Sequence, residues 1–149
     1  MRQVYVESFS VYGITIRTTN KDEMDPQQAK IGHLWQNFFT LCSRAEFEPE
    51  DAYGVYSAYD SDWNGEYSVT AALKKDLGFQ EGKEVVVPSG KYLRFEKTGN
   101  MPETALLLWQ EVWDYFQEKS ALKRNYLCDF EEYTGTSSVA IYIGIVEDI

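Results

Sequence analysis

The chain has 149 residues, and its hydrophobic content of 44% excludes an intrinsically disordered protein and predicts one folded domain over residues 1–149. With 24 acidic and 14 basic side chains the formal net charge is −10, which disfavours direct binding to nucleic acid. No apolar run reaches the length of a signal peptide or a membrane span, so we expect a cytoplasmic protein that does not bind membranes.

The residues suited to metal or cofactor chemistry are few. Cys42 and Cys128 lie far apart in apolar contexts, so both are predicted to be reduced core residues. His33 is the single histidine, which excludes sites built on a pair of histidines. There is no glycine-rich phosphate loop, and we therefore predict no metal and no cofactor.

The first half of the chain predicts strands separated by one helix. Segments rich in Val, Tyr and Ile predict strands over 3–8, 11–18, 52–59 and 67–74. Asp25 followed by Pro26 is a typical helix start, and the apolar residues that follow recur at helical spacing up to about Ser43. The helix is therefore predicted over residues 27–43.

The second half repeats this order. Strands are predicted over 84–87, 91–97, 125–133 and 138–146, and a helix begins near Pro102. Leu34-Trp35 in the first helix resembles Val112-Trp113 in the second, which predicts an internal duplication with repeats of about 1–78 and 79–149. The alternative is chance similarity between two amphipathic helices. A duplication would place Trp35 and Trp113 at equivalent positions.

Alternation along the last predicted strand separates two faces. Val139, Ile141 and Ile143 share one face, which should lie against a helix-covered core. Tyr142 and its small neighbours share the other face, which leaves room above the sheet and favours a binding floor. An ordinary solvent-exposed face would show the same pattern.

The preceding strand places a carboxylate among tyrosines. If the apolar Cys128 and Phe130 point to the helix-covered core, Glu131 and Tyr133 join Tyr142 on the open face. A carboxylate flanked by aromatic rings suits an organic cation, whose charge pairs with the oxygen while the rings contact its apolar body. The alternative is a solvated surface glutamate.

These residues resemble a known family. Phe130-Glu131-Glu132-Tyr133, followed by the run from Val139 to Ile145, resembles the C-terminal hairpin of the GyrI-like small-molecule-binding family. The same domain is the effector-binding part of AraC-type and MerR-type multidrug regulators. Tyr53-Gly54-Val55-Tyr56 resembles the first half of that domain. Gly144 departs from the family, which often has proline there, and Glu132 adds a second acid beside Glu131.

The resemblance implies an α+β fold of the SHS2 type: tandem β-α-β-β units form one antiparallel sheet with two helices and a central cleft. In the family a buried glutamate faces cationic, often aromatic, ligands, and Glu131 occupies that position. The ligand-binding residues implied or suggested are Glu131, Tyr133, Tyr142, Trp35 and Trp113, with Tyr59 and Tyr67 as the aromatic wall of the first half.

Three functions remain open at this stage. The first is a stand-alone sensor or sequestering protein for a small, cationic, amphipathic or aromatic molecule. The second is a hydrolase of electrophilic small molecules in which Glu131 acts as the base and Tyr133 or Tyr67 assists. The third is inhibition of a DNA-handling protein partner by the acidic surface.

Overall fold

The computed structural model describes residues 1–48, 50–119 and 121–147 and shows an α+β protein with a single antiparallel sheet. The helices are α1 (Asn20–Glu23), α2 (Ile31–Arg44) and α3 (Glu103–Phe116). The strands are β1 (Arg2–Val6), β2 (Phe9–Thr19), β3 (Tyr53–Ser57), β4 (Glu66–Leu73), β5 (Lys83–Val87), β6 (Gly90–Thr98), β7 (Arg124–Thr134) and β8 (Ser138–Ile145). In the described part of the chain, no helix has the length and apolar content of a membrane span.

The order β1-β6-β8-β7-β3-β4-β2-β5 arranges two similar halves about the sheet centre. β3 and β7 pair there, with Tyr53 opposite Glu132, Val55 opposite Phe130 and Ser57 opposite Cys128. Each half continues outward with the equivalent strands, β4 and β2 on one side and β8 and β6 on the other. The predicted β-α-β-β order is confirmed, and the strands predicted over 3–8 and 84–87 are present as β1 and β5.

Two very short connections show that the sheet is curled. β1 and β2 stand at the first and seventh positions, yet only Glu7 and Ser8 connect them. Such a connection spans at most about 11 Å, whereas six strand spacings in a flat sheet would cover about 29 Å. β5 and β6 are joined in the same way through Pro88 and Ser89. The sheet therefore has a concave side and a convex side.

The helices cover the convex side. α2 packs on β2 and β4, and α3 packs on β6 and β8. Phe38 of α2 and Val112 of α3 are fully buried between their helices and the sheet. Ile141 and Ile143 of β8 are fully buried on the same side. The predicted helix-covered face of the last strand is therefore confirmed. The concave side holds a separate core to which all eight strands contribute, including Val55 and Phe130.

The prediction that the side chains of Cys128 and Phe130 point to the helix-covered core is wrong. Both are buried, but they belong to the concave core and not to the helix-covered one. β7 pairs with β8 so that Phe130 lies opposite Tyr142 and Glu131 lies opposite Ile141. Because side chains of directly paired residues share a face, Glu131 points to the helices and Tyr142 points away from them.

The predicted start of the first long helix is also wrong. Asp25 accepts a hydrogen bond from the Gln27 N–H (2.9 Å) within a turn, and α2 begins only at Ile31. Its first N–H groups are satisfied by Glu23, whose carboxylate accepts from the N–H of Lys30 (2.9 Å) and of Ile31 (3.1 Å). The capping side chain thus comes from the short α1, which the sequence pattern did not predict.

A buried ion pair anchors the start of β7. Asp129 is fully buried. Its Oδ2 accepts hydrogen bonds from the Arg124 guanidinium (2.6 Å) and the Tyr59 hydroxyl (2.5 Å). Its Oδ1 accepts a hydrogen bond from the Gly144 N–H (2.9 Å). β7 bulges between Arg124 and Asp129, with Tyr126 in the left-handed region at φ 54°. The bulge brings the guanidinium back beside the carboxylate.

Replacing Asp129 by Asn is expected to lower the free energy of unfolding by about 3–5 kcal/mol, because Arg124 would keep a buried charge without a counterion. Urea denaturation followed by circular dichroism measures this loss. The control is Asp60→Asn, which breaks an exposed ion pair with Arg17 and should cost less than about 1 kcal/mol. Equal losses in the two variants would contradict the structural role of Asp129.

Candidate ligand-binding site

Glu131 lies at the junction of the two halves, beneath the helices. Its side chain is 4% exposed and accepts three hydrogen bonds. The Tyr56 hydroxyl and the Trp109 indole N–H donate to Oε2 at 3.2 and 2.6 Å, and the Tyr133 hydroxyl donates to Oε1 at 3.2 Å. β3, α3 and β7 each supply one donor, so the carboxylate is held by both halves of the molecule.

Gly54 makes room for this carboxylate. It lies directly opposite Glu131 in the pairing of β3 with β7. A Cβ atom at Gly54 would lie 2.4 Å from Glu131 Oε1 and 3.0 Å from Cζ2 of Trp35. The carboxylate and the Trp35 indole therefore share the space above the glycine, which a larger residue would fill.

The two helices contribute equivalent indoles, Trp35 from α2 and Trp109 from α3. The Trp35 ring meets Tyr133 edge-on at 5.5 Å and 75°, and the Trp109 ring meets Tyr56 at 5.2 Å and 68°. Each tryptophan thus contacts a tyrosine on the central strand of the other half. Trp109 also packs against the helix-covered cores of both halves. Together these four rings enclose the carboxylate.

The predicted equivalence of Trp35 with Trp113 is wrong. Trp113 is 44% exposed, and its ring lies 6.2 Å from Trp109 at a tilt of 37°. Phe39, 48% exposed, has the same relation to Trp35, at 5.7 Å and 32°. Trp35 therefore corresponds to Trp109 and Phe39 to Trp113. Trp113 lies on the outer rim of the site.

Tyr59 and Tyr67 lie side by side, with ring centroids 5.6 Å apart. Tyr67 is also 6.0 Å from Tyr56, which connects this pair to the Glu131 site. The hydroxyl of Tyr59 donates to Asp129, and that of Tyr67 donates to Asn20 Oδ1 at 2.7 Å. The structure therefore brings the two predicted wall residues together, next to the site and without contact to the carboxylate.

The predicted grouping of Tyr142 with Glu131 and Tyr133 is wrong. Tyr142 stacks on Phe130 on the concave side, with centroids 4.3 Å apart and planes 9° apart. Its hydroxyl donates to Glu132 at 3.2 Å. The sheet itself separates Tyr142 from Glu131, because paired positions on neighbouring strands send their side chains to the same face.

Burial raises the pKa of Glu131 above its ordinary value of 4.5, and the hydrogen bonds from Trp109, Tyr133 and Tyr56 partly oppose this rise. Burial beside the carboxylate likewise raises the pKa of Tyr56 and of Tyr133, so both hydroxyls stay protonated and donate. Within residues 1–48, 50–119 and 121–147, no Lys, Arg or His nitrogen lies within 4 Å of Glu131. In this part of the chain, the negative charge is therefore stabilised by neutral donors alone.

Sequence reasoning missed Trp109, Tyr56 and Gly54 as site residues. Alternation along β3 places Gly54 and Tyr56 on one face of the sheet. That this is also the face of Glu131 is known only from the pairing of β3 with β7. A signal for Trp109 was present: it follows a buried Leu108 as Trp35 follows a buried Leu34. The sequence repeats the Leu-Trp pair, but the equivalence of the two pairs rests on the burial of both leucines, which only the structure shows.

Replacing Gly54 by Ala is expected to lower the free energy of unfolding by about 1–3 kcal/mol, because the added methyl group overlaps the Glu131 carboxylate. Gly32→Ala in α2 is the control, since a Cβ there meets nothing within 4 Å and alanine favours the helix. Thermal unfolding of both variants measures the difference. A Gly54→Ala protein as stable as the Gly32→Ala protein would show that the carboxylate moves away without cost.

The raised pKa of Glu131 predicts a pH dependence of stability. The stabilising contribution of a carboxyl whose folded-state pKa is raised is complete below its unfolded-state pKa of 4.5 and is lost as the pH rises through the folded-state value. Glu131→Gln removes this loss. The free energy of unfolding of the variant should therefore increase relative to that of the wild-type protein as the pH rises above 4.5. Denaturation at a series of pH values tests this. A difference that is constant with pH would contradict the shift.

Comparisons with known proteins agree with this architecture. Residues 2–145 match the model of the family described as Cass2, integron-associated effector binding protein. An integron cassette protein from the mobile metagenome of Vibrio cholerae has a similar structure, with a TM-score of 0.88 and 38% identity over 97% of this chain and 95% of that chain. No curated protein matches the sequence.

A more distant neighbour shares the fold. The structure of SAV2435 bound to tetraphenylphosphonium has a TM-score of 0.72 and 19% identity, over 97% of this chain and 93% of that chain. The resemblance to the GyrI-like family is thus confirmed. Because the family model matches nearly the whole chain and the Vibrio cholerae protein exceeds 30% identity, this chain belongs to the Cass2 family of integron-associated effector binding proteins.

Proposed function

We propose that the small molecule bound by this effector-binding protein is an organic cation with aromatic or other apolar groups, and that its charge pairs with Glu131. The observation that carries the proposal is a buried carboxylate with three neutral hydrogen-bond donors and no cation within 4 Å in the described residues. A buried charge without a counterion is costly, and a cationic ligand would supply the missing charge.

The surrounding rings suit the same ligand. Trp35, Trp109, Tyr56 and Tyr133 present aromatic surface on several sides of the carboxylate. Ring faces attract cations through their quadrupole, and their area favours an apolar body. The ligand named in the SAV2435 structure, tetraphenylphosphonium, has both properties, and this supports the choice of class.

Ligand entry requires side chains to move. The Glu131 side chain is 4% exposed, and the Trp109 indole lies 2.6 Å from its Oε2. A ligand that reaches this oxygen must therefore move a side chain that covers it, and the Trp109 indole is the nearest. Since Trp109 bridges the cores of the two halves, its displacement opens the junction between α2 and α3.

Glu131→Gln is expected to weaken binding of tetraphenylphosphonium by about 1–3 kcal/mol, or roughly 5- to 150-fold, since the Coulomb attraction between the carboxylate and the cation is lost. Quenching of tryptophan fluorescence measures the dissociation constant. The matched control is Glu132→Gln, which removes the neighbouring carboxylate on the other side of the sheet and should leave the affinity unchanged. An unchanged dissociation constant in Glu131→Gln would exclude this residue from the site.

Tetraphenylborate provides a second control, because it has nearly the same shape and the opposite charge. The proposal requires that it bind far more weakly than tetraphenylphosphonium to the wild-type protein, and that Glu131→Gln reduce this discrimination. Equal binding of the two ions would show that the site selects shape and apolar surface alone.

The hydrolase alternative stays a prediction and is separated by the same variant. A raised pKa suits a general base, and Tyr133 donates to Glu131 as an assisting acid would. Hydrolysis of an epoxide or ester by the wild-type protein, lost in a Glu131→Gln protein that still binds the substrate, would favour catalysis over simple binding.

A further inference from the structure

A cavity of about 350 Å³ opens on the concave side of the sheet, on the opposite face from Glu131. We call it the concave-side cavity. The connection between β1 and β2 forms one wall, and β3, β7 and β8 form the others. The residues around it are Val6, Glu7, Ser8, Phe9, Tyr53, Lys74, Phe130, Glu132 and Tyr142.

Four aromatic residues lie at this cavity: Phe9, Tyr53, Phe130 and Tyr142. Tyr142 stacks on Phe130, and Phe9 meets Phe130 edge-on at 5.4 Å and 81°. Tyr53 completes the set at 5.5 Å from Phe9. Phe130 and Tyr53 are buried by this packing, whereas Phe9 and Tyr142 stay partly exposed. These two rings are held in place by their neighbours and remain available to a flat aromatic group.

A carboxylate is held in position among these rings. Glu132 Oε2 accepts from the Tyr53 hydroxyl at 3.1 Å, and Oε1 accepts from the Tyr142 hydroxyl at 3.2 Å. The Tyr142 hydroxyl in turn accepts from the Arg94 guanidinium at 2.9 Å, which fixes its orientation. A carboxylate can accept about four hydrogen bonds, so capacity remains for a donor on a ligand.

A lysine lies against the same rings. The Lys74 ammonium is 4.8 Å from the ring centre of Phe9 and 5.5 Å from that of Tyr53. In the described part of the chain no carboxylate oxygen lies within 4 Å of it. The lining therefore holds one ammonium group, that of Lys74, and two carboxylates, those of Glu7 and Glu132. Among the described residues, none of the three has a group of opposite charge within 4 Å.

We propose that the concave-side cavity is a second binding site, which takes a small aromatic zwitterion. The ligand's ring packs on Phe9 and Tyr142, its carboxylate pairs with Lys74, and its ammonium pairs with Glu132. Aromatic amino acids are the simplest compounds of this class. The site is independent of the cation site at Glu131, because the sheet separates the two.

Three compounds with one ring system test the proposal: L-tryptophan, tryptamine without the carboxylate, and indole-3-propionate without the ammonium. Ligand-observed NMR titration of the full chain should show that tryptophan binds about tenfold more tightly than either analogue. Lys74→Met should abolish the advantage over tryptamine, and Glu132→Gln the advantage over indole-3-propionate. Circular dichroism and thermal unfolding show that each variant is folded, independently of any ligand.

The position of binding has its own readout. None of the protein's four tryptophans lines the concave-side cavity, so L-tryptophan should leave the protein's indole N–H signals unchanged. Tetraphenylphosphonium at Glu131 should move the Trp109 signal. Absence of tryptophan binding, equal affinity for the three compounds, variants without effect, or a shifted Trp109 signal would each overturn the proposal, whether or not the Glu131 site binds cations.

Discussion

The pairing of β3 with β7 places Gly54 opposite Glu131, and the candidate site depends on this contact. Because the glycine has no side chain, the carboxylate lies close to the sheet and both indoles reach its surroundings. Since the same pairing joins the two halves, the residue on which ligand binding is proposed to depend lies at the centre of the fold. Ligand-induced movement at Glu131 would be transmitted to both helices through Trp35 and Trp109.

Two buried carboxylates on β7, those of Asp129 and Glu131, have different roles. Asp129 receives a guanidinium, a hydroxyl and a backbone N–H, so its charge is compensated within the protein. Glu131, two positions later on the same face, receives only neutral donors. The ion pair of Asp129 stabilises the hairpin, whereas Glu131 is destabilising when ionised. An uncompensated charge at such a position is typical of a binding site, where a ligand provides the compensation.

The curled sheet gives the molecule two chemically distinct interiors. The convex side has a carboxylate enclosed by tryptophan and tyrosine, and the concave side has a cavity lined by two carboxylates and one ammonium group. Many of the tyrosines are therefore not ordinary core residues. Five of them donate a hydroxyl hydrogen bond to a buried or half-buried carboxylate: Tyr53, Tyr56, Tyr59, Tyr133 and Tyr142. This arrangement explains how a strongly acidic chain accommodates acids inside its core.

The sequence by itself determined the order of the elements, the alternation along β8, and, through a family resemblance, the importance of Glu131. Periodicity states which residues of one element share a face, because that depends on local geometry alone. It does not state which strand pairs with which, or in what register, and those choices separated Tyr142 from Glu131 and brought Gly54 beside it. The same holds for α2, which begins at Ile31 because Glu23 caps it, and for Trp109, which replaced Trp113 because helix packing sets the equivalence of the two halves. Only the tertiary structure decided these points, since each depends on contacts between residues distant in sequence or on the packing of whole elements.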